Sequence, residues 1–84
     1  MKVTVKRKEM NPAQPVLIYT EFIKLQDALK FANAAETGGM AKAVIQDGEV
    51  TVNGEICTMR GKKLYPGDQF AFDGHSYLIS IHEA

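Results

Sequence analysis

The chain has 84 residues, 45% hydrophobic and 24% charged, with ten Lys and Arg against ten Asp and Glu. That leaves room for one small domain, residues 1–84, with a thin core, and the composition is neither disordered nor fibrous. Zero net charge removes the simplest argument for nucleic-acid binding, a strongly basic domain. No apolar run approaches the ~20 residues that cross a bilayer, and the first residues lack a signal-peptide core. Cys57 stands alone, so no internal disulfide can form; a soluble cytoplasmic protein in a reducing compartment is the expectation.

The charges are not evenly spread. Lys2, Lys6, Arg7 and Lys8 precede the first acid, Glu9, and Arg60, Lys62 and Lys63 form a second cluster, while the acids are scattered. A ligand feels such local clustering more than the sum.

Residues 2–7 (KVTVKR) alternate polar and apolar, with Val3 and Val5 on one face, as in a half-buried strand. NPAQP at 11–15 reads as a breaker, and VLIYT at 16–20 as a second strand that could close an N-terminal hairpin. From residue 22 the period becomes helical. Phe22, Leu25, Leu29 and Ala32 make one stripe, Thr20 or Glu21 could start the helix, and it should stop before Thr37-Gly38-Gly39. A second helix follows with Met40, Ala41, Val44 and Ile45 on its apolar face. Thr37 is its candidate N-cap and Gly48 the left-handed residue at its end.

The period then drops to two. Val50 and Val52 share a face, Asn53-Gly54 is a hairpin signal, and Glu55-Ile56 begin the return strand. Pro66-Gly67-Asp68 is a second turn, Phe70 and Phe72 share a strand face, Asp73-Gly74 is a third turn, and Tyr77, Ile79 and Ile81 line the last strand. The layout of strand region, two helices and several short strands is an α+β pattern.

The segment KLQDALKFANAAETGGMAKAVIQDGEVTVNGEI (24–56), followed by PGDQF (66–70), resembles the S4 RNA-binding domain, most closely its small stand-alone YaaA/YbcJ-like branch. The most specific parts are AVIQDGEVTVNG and the PGD turn after it, and the resemblance runs over about residues 22–81, leaving 1–20 as an N-terminal strand or hairpin extension. It implies two short helices packed on a small, twisted, mostly antiparallel sheet, the alpha-L motif, and binding of structured RNA through the helices and the adjoining hairpin. By matched position, Lys24 stands for the arginine that opens helix one in many members. Thr37 matches the serine opening helix two, Lys42 a basic position on that helix, and Asn53 and Gly54 the hairpin tip. The chain departs from the larger members at Gly38, where many have arginine, and at Gln26, where many have aspartate; small residues after the threonine suit the stand-alone branch.

Each candidate has two readings. The amides of Thr37-Gly38-Gly39 could hold a phosphate at a helix N-terminus, or the glycines could simply make a tight interhelical turn. Arg60, Lys62 and Lys63 sit on a turn-bounded connection where they would neutralise RNA phosphates, or form a solvated basic loop. Tyr65 could stack on an unpaired base or pack beneath that loop. Lys6, Arg7 and Lys8 could extend an RNA surface or guard an edge strand. Catalysis finds little support. Cys57 has no nucleophile context, no GxxxxGK loop occurs, and His75 and His82, seven apart on a strand, should face opposite ways, which disfavours a metal site.

The expectation is therefore a non-enzymatic module without cofactor or metal. Its partner would be ribosomal or tRNA-like structured RNA, with the ribosome as a candidate particle and no membrane or small-molecule substrate. Its RNA-facing residues would be Lys24, Thr37, Gly38, Gly39, Lys42, Asn53, Arg60, Lys62 and Lys63. The competing reading is a protein-interaction adaptor that adds a strand at an exposed sheet edge.

Overall fold

The computed structural model describes residues 13–82. In chain order these form β1 (Gln14–Ile18), β2 (Ile23–Lys24), α1 (Leu25–Phe31), α2 (Gly38–Gln46), β3 (Val50–Val52), β4 (Glu55–Ile56), β5 (Lys63–Leu64), β6 (Gln69–Phe72) and β7 (His75–Ile81). The five-stranded sheet runs β1-β7-β6-β3-β4, and β2 with β5 makes a separate two-stranded ladder. All pairings are antiparallel except β1 with β7.

The two glycine hairpins form where the sequence places them. Val52 lies opposite Glu55 and Phe72 opposite His75, so each loop has two residues. Asn53 (φ 51°) with Gly54 (φ 89°), and Asp73 (φ 54°) with Gly74 (φ 79°), take the positive φ values that match the twist of the flanking strands. Along β7, Tyr77 and Ile79 point into the core, and Phe70 stacks on Tyr77 directly across the strand pair at 4.8 Å between ring centroids. The two helices cover this face. Leu25, Ala28 and Leu29 of α1 and Ala41 and Ile45 of α2 are fully buried against Val50, Phe70 and Ile79.

α2 matches its expected start and end. The Thr37 hydroxyl accepts from the Met40 amide at 3.1 Å, and Gly48 takes φ 77° beyond the last turn. Other expectations need correction. Helix one does not begin at Thr20 or Glu21: residues 23–24 are extended as β2 and the helix starts at Leu25. Phe22 and Ala32 therefore lie outside it, and Met40 is exposed rather than buried. The strand expected at 16–20 spans Gln14–Ile18 and includes Pro15, which an edge strand tolerates because its missing N–H can face outward. Its proposed hairpin partner at 2–7 lies outside the described residues. Within them β1 pairs with the far end of the chain, Val16 opposite Ile79.

The Asn-Gly and Pro-Gly-Asp turns are tied together. The Asn53 carboxamide donates to the Asp68 carboxylate at 3.2 Å and accepts from the Gln69 amide at 3.0 Å, and the other Asp68 oxygen accepts from the Tyr65 amide at 2.8 Å. Asn53→Ala should therefore cost about 1–2 kcal/mol, through lost hydrogen bonds and an alanine at positive φ. Asn53→Gly should recover part of that loss by relieving the backbone alone. Urea midpoints of the two variants separate the contributions, and equal midpoints would exclude a backbone component.

Candidate nucleic-acid interface

A helix leaves its first amides without intrahelical partners. The usual remedy is a side-chain acceptor at the N-cap, but α1 has Lys24 there, which carries donors only and makes no side-chain cap. The basic connection supplies the acceptors. The Leu25 amide donates to the Lys62 carbonyl at 2.8 Å, and the Gln26 amide donates to the Arg60 carbonyl at 3.1 Å. The connection is folded for this by a turn in which the Lys62 amide donates to the Met59 carbonyl at 3.1 Å. With these carbonyls turned onto the helix, the Arg60, Lys62 and Lys63 side chains stay exposed.

The same docking sets Lys24 directly opposite Lys63 in the β2–β5 ladder. Like charges facing each other across strands are unfavourable, and a cation at a helix N-terminus opposes the macrodipole. Lys63 is partly compensated by the Phe22 ring, with its ammonium 4.8 Å from the centroid, and Phe22 in turn packs on Tyr65 at 5.8 Å. Tyr65 thus backs the loop and remains 44% exposed. Among the described residues the one ion pair is Lys30 with Asp27, at 3.6 Å.

Thr37, Gly38 and Gly39 lie at the other end of α1. They are exposed, and the Lys30 ammonium is 3.9 Å from where a Cβ on Gly38 would sit. α1, seven residues and so about 10 Å long at 1.5 Å rise per residue, runs between this group and the Arg60–Lys63 loop. Lys42 is one turn further along α2 and exposed. Lys30 reads from sequence as an ordinary helix-surface lysine; only the fold brings positions 30 and 38 together. Asn53 stands apart, since its carboxamide joins the two turns. The sequence flagged its positive φ but held no signal of its partner, Asp68.

Residues 16–80 match the S4 domain family. The chain is 45% identical over 62 residues to the Bacillus subtilis protein named "Probable ribosome maturation protein RlbA", covering 74% of this chain and 87% of that one. It is 37% identical over 57 residues to Escherichia coli YbcJ, covering 68% of this chain and 81% of YbcJ. The solution structure of YbcJ, described as revealing an alpha-L motif involved in RNA-binding, superposes with a TM-score of 0.64 at 27% identity, over 90% of this chain and 98% of that one. The family match begins at Val16 and so takes in most of β1.

The charge placement carries a stability test. Lys24→Asp introduces an N-cap acceptor, reverses the sign at the helix terminus and removes the Lys24–Lys63 opposition. It should raise stability by about 0.5–1 kcal/mol in chemical denaturation. A destabilised variant would mean that the lysine serves the fold.

Proposed function

The chain belongs to the S4 domain family, and on that premise we propose that it is a non-enzymatic binder of folded RNA, acting on ribosomal RNA within the ribosome or an assembly intermediate. The observation that carries the reading is the convergence of Lys24, Arg60, Lys62 and Lys63 at the N-terminus of α1, where two lysines face each other across a ladder. A fold selected for stability alone would not keep a lysine at that cap; a phosphate arriving between the cations relieves their repulsion. The name of the B. subtilis relative supports a ribosomal target, and the description of YbcJ supports RNA as the ligand class.

The Arg60–Lys63 loop with Lys24 forms the principal phosphate contact, and Arg60 can fork onto a phosphate where lysine cannot. The Gly38 and Gly39 amides, with Lys30 and Lys42, form a second contact at the far end of the helix pair, which a folded RNA is wide enough to reach. Affinity is then largely to phosphate and sugar, and shape is recognised more than base sequence.

One observation favours the adaptor as a second reading. β1 ends the sheet, with a partner on one side among the described residues and Leu17 44% exposed. Pull-downs with and without nuclease separate the two, because partners held by strand addition survive the nuclease.

Four phosphate contacts give a log-log salt slope of roughly −3 for single-stranded or loop RNA. Replacing Arg60, Lys62 and Lys63 by alanine should weaken binding and flatten that slope. Unchanged affinity and slope would remove this loop from the interface.

A further inference from the structure

Beside the cationic loop lies apolar surface that phosphate binding does not explain. Ile56 is 68% exposed and Met59 65% exposed, and both rim a concavity of about 240 Å³ that is also lined by Asn53, Glu55, Cys57 and Lys62. The site is at the outer edge of the sheet, since β4 is its last strand among the described residues. Behind it lies Gly48, with the Ile56 Cγ2 3.6 Å from where a Cβ on that glycine would sit.

The lining of this hollow is mixed. Lys62 contributes a cation, with Arg60 two residues away in sequence, Ile56 and Met59 contribute methyl and thioether groups, and Glu55 contributes a carboxylate. A phosphate is attracted by the cations and repelled by the carboxylate. Ile56 and Met59 offer apolar surface to a flat ring, which charged backbone does not cover. A carboxylate accepts from the exocyclic amino group of a base. The hollow is smaller than the ~300–1,000 Å³ of a site for a drug-sized ligand, and so suits one ring system.

On the premise of the RNA reading above, we propose that this concavity is a subsite for one unpaired nucleotide. The base rests on Ile56 and Met59 with its edge toward Glu55, and its phosphate is held by Arg60 and Lys62. The preferred RNA then carries a bulge or loop next to the helix that the cations grip. Apolar side chains serve such roles by covering unstacked bases, and methionine adapts to different base shapes.

The test compares two RNA duplexes of equal length, one fully paired and one with a single bulged nucleotide, binding to the intact chain. The bulged RNA should bind about 10-fold tighter, of the order that covering two exposed apolar side chains supplies. Ile56→Ser with Met59→Ser should abolish that preference while leaving the salt slope intact, and circular dichroism checks that these exposed changes leave the fold unaltered. Cys57, the one thiol in the chain, gives an independent readout, because the bulged RNA should slow its alkylation more than the paired duplex does. Equal affinity for both RNAs with a steep salt slope would overturn the subsite and leave the RNA reading standing. A preference that survives the double variant would place the nucleotide elsewhere, and failure of both RNAs to bind would overturn both readings.

Discussion

The arrangement depends on how the N-terminus of α1 is capped. The helix lacks a side-chain acceptor and takes two backbone carbonyls instead, from Lys62 and Arg60. Each of these bonds joins residues far apart in sequence, so the cap is also a tertiary contact. It closes the chain between β4 and β5 over the helix and fixes the direction in which three cationic side chains leave the backbone. The two-residue ladder of Ile23–Lys24 with Lys63–Leu64 extends this contact, burying Leu64 beneath it. A loop with solvated carbonyls would scatter its charges over many conformations, and ordering them on binding would consume part of the affinity. Here that ordering belongs to folding.

A second constraint sets the hairpin beside the loop. Asn53 opens one turn and Asp68 closes the other, and their side chains fasten the two turns together. The β3–β4 hairpin is short, and a two-stranded ribbon is barely stable alone. Its tip is held by the Pro-Gly-Asp turn, which is anchored in turn on β7 through Gly67 N–H to Ile79 C=O at 2.9 Å and Ile79 N–H to Asp68 C=O at 2.8 Å. Ile56 and Met59 therefore project from a part of the molecule linked by hydrogen bonds to its central strands. The same hydrogen bonds make Asn53, an expected RNA contact, also a means by which neighbouring residues are presented.

The parts legible from sequence were those with local causes. Asn53-Gly54 and Asp73-Gly74 dictate positive φ whatever surrounds them, and Thr37 satisfies an amide three residues away. Alternation along β3, β6 and β7 follows from one buried face. What stayed hidden was non-local. Residues 20–24 continue the helical spacing of α1, yet Ile23 and Lys24 are drawn into an extended pairing with a segment nothing nearby announces. The parallel union of β1 with β7 joins the two ends of the described chain, and a periodicity argument cannot choose between that partner and an adjacent strand. Among the candidate residues, the grouping of Lys24 with Arg60–Lys63 is likewise a product of that pairing. The resemblance put Lys24 at the helix opening, but only the ladder sets it against Lys63, and only the fold brings Lys30 beside Gly38.

Net neutrality is compatible with a polyanion as ligand for a reason of scale. At physiological ionic strength charges separated by more than about 8 Å of solvent are largely screened from one another. The described molecule measures 43 × 36 × 20 Å, several such lengths in two directions. The potential at a bound phosphate is therefore set by the few groups of its own neighbourhood. Ten acids balance ten bases in the sum, but the sum is not sampled at any one point of the surface. A neutral total also limits indiscriminate attraction to nucleic acid, because distant parts of an RNA meet no general positive field. On the proposed reading, binding requires the phosphates to present themselves where Lys24, Arg60, Lys62 and Lys63 stand, and a small chain would gain selectivity for RNA shape by concentrating charge rather than by accumulating it.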